Sequence, residues 1–469
     1  MKELIIGRKA EQEVLQEAFD SEKSEFIAIC GRRGVGKTFL VNEFYGNDLV
    51  FQTAGIHGGT LAQQIKSFYQ ELLNCGLKAD TEPKDWLDIF FLLRKYLEGL
   101  TAKRKVILLD ELPWMDTPKS GFIAALEHFW NSWVTSRHDI VLIVCGSATS
   151  WMMNKLINNH GGLHDRLTRD IFLPPFDLHD TRLFLERKGF HLSNYEVAEC
   201  YMAMGGTPYY LDMLKPTLSL SQNIDHLFFS RYGGLRREFN NLYASLFKNS
   251  KDYIEVVRAL SNKRMGLTRE EIIKATGLNS GGALTTILEN LESCDFIRTY
   301  TSFDAHGNPK IYQLVDFYTF FYMRFIEKKK LNSWSSIQGT SDFYTWAGLT
   351  FELLALVHIN QIKKSLGISA IKTTEQVWRC NDSNGGAQVD LVIFRDDPTI
   401  NLCEMKFTMK PFNISADYEA NLRNKLEVLA NATNHKKSIQ ITMVSASGLD
   451  SSSHKSIISN EVTLDDLFE

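Results

Sequence analysis

Phe26-Ile27-Ala28-Ile29-Cys30-Gly31-Arg32-Arg33-Gly34-Val35-Gly36-Lys37-Thr38 decides how the chain begins to fold. The apolar run predicts a buried strand, the glycines a tight loop, and Lys37 to Phe44 a helix. A loop of this spacing turns successive backbone N–H groups around phosphate oxygens. Lys37 then reaches the β and γ phosphates, and the Thr38 hydroxyl completes a Mg²⁺ shell. Gly31, Gly34, Gly36, Lys37 and Thr38 are therefore the expected binding residues, and ATP with Mg²⁺ the expected ligand.

Two further strands extend this reading. Lys105-Val106-Ile107-Leu108-Leu109 ends at Asp110-Glu111, where Asp110 is expected to hold the magnesium and Glu111 to orient and deprotonate water. Ile140 to Cys145 ends at Gly146-Ser147-Ala148, placing Ser147 as a candidate γ-phosphate sensor.

With these motifs, the first part of the chain resembles the prokaryotic AAA-type ATPases related to origin-recognition and signal-transduction (STAND) ATPases. The resemblance implies that Gly7 and Arg8, in Ile6-Gly7-Arg8-Lys9-Ala10-Glu11, lie near adenine. It also implies an arginine finger acting in a neighbouring subunit, matched by Arg166 with Arg169 as its rival, and hence a homo-oligomer. Gly205-Gly206-Thr207-Pro208 resembles the family's helical-lid element and adds Pro208 to the nucleotide site.

At 469 residues the chain exceeds the size of one hydrophobic core. A 44% hydrophobic content excludes a disordered chain, and a net charge of -4 excludes a generally basic nucleic-acid coat. The 7 cysteines are scattered singly, without zinc or disulfide spacing, and read as reduced core thiols. No apolar run approaches a membrane span or signal peptide, so the expected compartment is the cytoplasm.

After Leu173 the pattern becomes helical, as a lid requires. From Asp252, helices over 253–261, 268–276 and 283–293, followed by Phe296 to Tyr300 and Ile311 to Leu314, predict a winged helix. Its third helix carries Glu289 and Glu292 without Lys or Arg, which opposes entry into a major groove; its wing offers Arg298, His306 and Lys310. The aromatic stripe Phe317 to Phe325 reads as a buried helix rather than a stacking platform.

A second chemical site lies in the last third. Gln388 to Phe394 and Ile400 to Phe407 predict paired strands, with Glu404 and Lys406 on one face. Asp390 and Glu404 converge on Mg²⁺ or Mn²⁺ in this reading, Lys406 positions or deprotonates water, and Glu352 adds a third carboxylate from an apolar helix. This Asp, then Glu-x-Lys pattern resembles the PD-(D/E)xK restriction-endonuclease-like superfamily, with Val389 where the nominal signature has proline.

The resulting expectation is α/β: a P-loop NTPase parallel sheet over residues 1–175, a helical lid over 176–249, a winged helix and connecting helix over 250–330, and a restriction-endonuclease-like α/β domain over 331–469. Its function is ATP-regulated, metal-dependent processing of nucleic acid, with DNA favoured. The alternative is a nucleotide-controlled regulatory or scaffold protein whose C-terminal domain only binds.

Overall fold

The computed structural model describes residues 4–79, 81–147, 149–157, 166–263, 265–301, 309–327, 333–380 and 387–469. His306 lies outside the described residues. The chain divides into two compact units, Met1–Pro175 with Ala244–Lys248, and Phe176–Tyr243 with Asn249–Glu469.

In the first unit, β1 (Glu25–Cys30), β2 (Leu49–Ala54), β3 (Lys105–Asp110), β4 (Ile140–Gly146) and β5 (Arg169–Phe172) form a parallel sheet in the order β2-β3-β4-β1-β5. Helices cover both faces, which is why β1 after Glu25, and β4, are apolar runs rather than alternating. Phe26, Ala28, Ile107, Leu109 and Leu142 pack against Phe68, Trp86, Phe90 and Trp130. Ile27, Ile29, Val106, Leu108 and Ile143 pack on the other side against Leu15, Leu40 and Val41. Because β3, β4 and β1 are neighbours, their C-terminal ends bring Asp110, Ser147 and the glycine loop to one edge, where open parallel sheets bind ligands.

At the opposite edge, Asp139 accepts from Lys105 Nζ at 2.6 Å and from Arg137 Nε and Nη2 at 2.7 and 2.6 Å. The Arg137 bonds lead in holding its carboxyl down at about 2. A depressed native pKa stabilises the fold above the ordinary carboxylate value of about 4 and loses that contribution as pH falls towards 2. Asp139→Asn is therefore expected to cost about 1–3 kcal/mol at pH 7. Urea melts at descending pH should show the difference from wild type shrinking below about pH 4.

The second unit begins with helices Leu178–Arg187 and Asn194–Met204. Helices Ser250–Ser261, Arg269–Thr276 and Gly282–Ser293 follow, with β6 (Leu267–Thr268), β7 (Ile297–Thr301) and β8 (Lys310–Leu314) in an antiparallel sheet ordered β6-β8-β7. Thr268 caps the middle helix: its hydroxyl accepts from Glu271 N at 3.2 Å, and its own N–H donates to Glu271 Oε2 at 2.8 Å. Two of the wing cations have intramolecular partners. Arg298 Nε donates to Gln313 Oε1 at 2.7 Å, while Lys310 lies 3.7 Å from Glu292 and over the Tyr312 ring.

The stripe forms helix Phe317–Phe321 and a wider-turn continuation, Tyr322–Glu327. Phe317, Tyr318, Phe320, Phe321 and Phe325 are buried, and Phe321 packs near Phe228, Trp334 and Trp346. They form core, not a stacking platform.

A second five-stranded sheet contains β9 (Thr373–Cys380), β10 (Ala387–Arg395), β11 (Thr399–Lys406), β12 (Ser438–Ser445) and β13 (Asn460–Thr463), ordered β13-β12-β11-β10-β9. β9, β10 and β11 pair antiparallel; β11, β12 and β13 pair parallel. Helix Ala416–Ala432 connects β11 to β12, and its Leu429 packs with Val389, Val392, Ile400 and Leu402.

Among the described residues, no helix is long and apolar enough to cross a membrane. Cys30, Cys145, Cys200, Cys294 and Cys403 are buried, whereas Cys75 is exposed, so that thiol departs from the expectation of a core position.

Candidate functional site

The glycine loop leaves β1 through Gly31, whose φ is +152° and where an added Cβ would fall 2.4 Å from Leu173 O. Close backbone approach thus requires glycine there. Gly34 and Gly36 also have positive φ, and helix Lys37–Tyr45 starts immediately after them. Lys37 is buried and donates through Nζ to Gly31 O at 2.7 Å and Arg32 O at 3.2 Å, folding over the loop that presents it. The Thr38 hydroxyl donates to Asp110 Oδ2 at 2.6 Å. These hard oxygen donors fit Mg²⁺, which when bound would neutralise phosphate charge.

Glu111 adopts left-handed backbone angles, φ 45° and ψ 46°, at the end of β3. Its Oε2 accepts from Ser147 Oγ at 2.7 Å and Ser147 N at 3.2 Å. Candidate base and candidate sensor are therefore already joined. A cleft of about 310 Å³ is lined by Thr38, Gln52, Ala54 and Asp110.

A separate cleft of about 630 Å³ in the second unit is lined by Glu352, Asp390, Glu404, Lys406, Tyr418 and Lys425, among others. The strand register explains the meeting: Leu391 pairs with Cys403, so Asp390 and Glu404 occupy the next positions outward. Asp390 Oδ2 accepts from Met405 N at 3.2 Å. Glu404 is buried; its Oε1 lies 2.6 Å from Lys425 Nζ, and its Oε2 accepts from the Tyr418 hydroxyl at 3.2 Å. Burial first, then the Asp390 charge, pushes Glu404 upward, with Lys425 and Lys406 opposing. Lys406 Nζ lies 4.8 Å from the Tyr418 ring centroid.

The carboxylates offer hard oxygens of the kind Mg²⁺ or Mn²⁺ takes. Yet among the described residues no group of three or more His, Cys, Asp or Glu side chains is gathered to hold a metal. Lys425 instead supplies the positive charge beside Glu404.

The family model for an ATPase domain predominantly from Archaea matches residues 6–214. That segment is a P-loop ATPase domain. An uncharacterized protein of Methanocaldococcus jannaschii is 24% identical over 409 residues, covering 84% of this chain and 85% of its own. A Walker-type ATPase of Pyrococcus abyssi matches with TM-score 0.49 and 18% identity, over 69% of this chain and 97% of its own. The Aeropyrum pernix ORC2 protein, in its ADPNP–ADP complexes, matches with TM-score 0.35 and 13% identity, over 66% and 90%.

In the ATPase domain, Gly7 and Arg8 have φ of 60° and 56°, and Arg8 Nη2 donates to Pro174 O at 2.6 Å. Arg166 is exposed in the turn before β5. Arg169 lies 2.7 Å from Glu17 and 3.8 Å from Glu25, so the rival arginine is tied to its own unit. Pro208 opens helix Pro208–Asp212 in the second unit. The preceding Gly206 has a packing role, because a Cβ there would fall 1.9 Å from Phe176 O.

Sequence reasoning missed Tyr418 and Lys425. Their signal is helical spacing: Tyr418, Lys425 and Leu429 share a face, polar beside Glu404 and apolar beside Leu402.

Proposed function

We propose that the chain is an ATP-regulated, metal-dependent nucleic-acid-processing protein, with DNA the favoured substrate and the cytoplasm its compartment. The observation that carries this reading is the convergence of Asp390, Glu404 and Lys406 in one cleft. A divalent cation held by the two carboxylates would polarise a phosphodiester. Lys406 positions the attacking water, and Glu352, on helix Ser341–Val357, orients it.

In the ATPase domain, Lys37 exchanges the Gly31 and Arg32 carbonyls for β and γ phosphate oxygens. Ser147 turns to the γ-phosphate, releasing Glu111 to take a proton from water. Gly7 and Arg8 flank adenine, Pro208 closes the lid, and Arg166 completes the site of a second subunit. The helices and hairpin over 250–314 act as a winged-helix connector rather than a base reader, in keeping with the engaged Arg298 and Lys310.

The test is cleavage of single- and double-stranded DNA and RNA with Mg²⁺ or Mn²⁺, with and without ATP. Metal-dependent cleavage that changes with ATP is expected. For Arg166, an Arg166→Ala chain should bind ATP but hydrolyse it poorly. Mixing it with Glu111→Gln should restore part of the activity through the one composite site left intact; turnover independent of protein concentration would argue against action between subunits. The Lys425–Glu404 ion pair favours one second reading, in which the C-terminal domain binds without cleaving. Absence of cleavage with retained strand binding would favour it.

A further inference from the structure

Outside both clefts, the second unit presents an exposed aromatic ring with guanidinium groups over it. Tyr232 is 72% exposed, and the guanidinium carbons of Arg231 and Arg237 lie 5.5 and 5.4 Å from its ring centroid. Arg236 is also exposed and donates to Phe229 O at 3.2 Å, while Arg237 donates to Tyr232 O at 3.3 Å. These bonds engage single nitrogens of forks that carry five N–H donors each. Among the described residues, no carboxylate forms an ion pair with Arg231, Arg236 or Arg237.

The turn presenting the cluster is fixed by packing. A Cβ on Gly233 would fall 2.3 Å from Leu227 O, and buried Leu235 and Phe239 anchor the following helix, Gly234–Leu246. At Gly234 a Cβ would meet Met213 Sδ at 3.3 Å.

We propose that this cluster binds single-stranded nucleic acid, stacking a base on Tyr232 and holding phosphates with Arg231, Arg236 and Arg237. It rests on the nucleic-acid part of the proposed function, for which it supplies a strand-gripping surface. The chain's net charge is -4, so the cluster is a local exception that concentrates positive charge. An acidic protein surface would use the arginines but leave the exposed ring without a purpose. A duplex keeps its base faces stacked, whereas a single strand offers both phosphates and free π faces.

The test is fluorescence anisotropy with labelled oligo(dT), using the full-length chain carrying Asp390→Asn to suppress cutting. Adding Tyr232→Ala should weaken binding about tenfold, within the range of base–aromatic stacking, while Tyr232→Phe should retain it. Arg236→Ala with Arg237→Ala should weaken it further and reduce the salt slope by about 1.4, from two lost phosphate contacts. Equal affinities across these variants, no binding by the parent chain, or loss of polyglutamate binding with oligo(dT) binding unchanged would overturn the proposal. If the otherwise wild-type chain never cuts but oligo(dT) binding follows Tyr232, this surface stands and the cleavage reading fails. If Tyr232→Ala alone cuts and binds like wild type, cleavage stands and this surface fails.

Discussion

Lys37→Ala is expected to abolish ATP binding, whereas Glu111→Gln should bind ATP as wild type does and hydrolyse it at least about 100-fold more slowly. The two residues act on different parts of the reaction. Lys37 is a buried ammonium held by carbonyls of its own loop, so ATP supplies a better partner and removing the ammonium leaves the phosphate charge uncompensated. Glu111 accepts from Ser147, and the amide introduced by Glu111→Gln keeps an oxygen able to accept from Ser147. Fold and affinity are therefore preserved while the base is lost. Equilibrium binding of a fluorescent ATP analogue together with phosphate release separates these outcomes; equal turnover by wild type and Glu111→Gln would remove Glu111 from the mechanism.

The parallel sheet was legible because buried parallel strands are apolar throughout, and Phe26 to Cys30, Val106 to Leu109 and Ile140 to Cys145 are such runs. The close approach of Gly31 to Leu173 was not: the glycine is visible, but its neighbour follows β5, far along the chain. In the second cleft, alternation along one strand put Glu404 and Lys406 together. Lys425 was hidden because an ordinary surface helix also carries lysines, and only the packing of Leu429 on Leu402 reveals which face turns inward. The partners of the wing cations were hidden for a related reason. Arg298 and Lys310 count as cations in sequence, but their partners Gln313 and Glu292 become neighbours only through the hairpin register and the helix beside it.

Asp390→Asn should eliminate Mg²⁺- or Mn²⁺-dependent cleavage, a loss of at least about 100-fold, with ATP hydrolysis unchanged. The amide oxygen can still accept from Met405 N, so the strand pairing is retained while the charge beside Glu404 is removed. Lys425→Met supplies an independent measurement. It leaves a buried Glu404 carboxylate next to Asp390 without its ammonium partner, a loss expected to cost about 3–5 kcal/mol. A divalent cation entering the cleft would restore positive charge at that place, so Mn²⁺ should raise the melting temperature of Lys425→Met more than that of wild type. No Mn²⁺-dependent rise in either protein would mean that the carboxylates do not take a cation, and the binding-only reading would then be the better account. A cation-dependent rise together with loss of cleavage in Asp390→Asn would join metal binding and chemistry at the same pair of side chains.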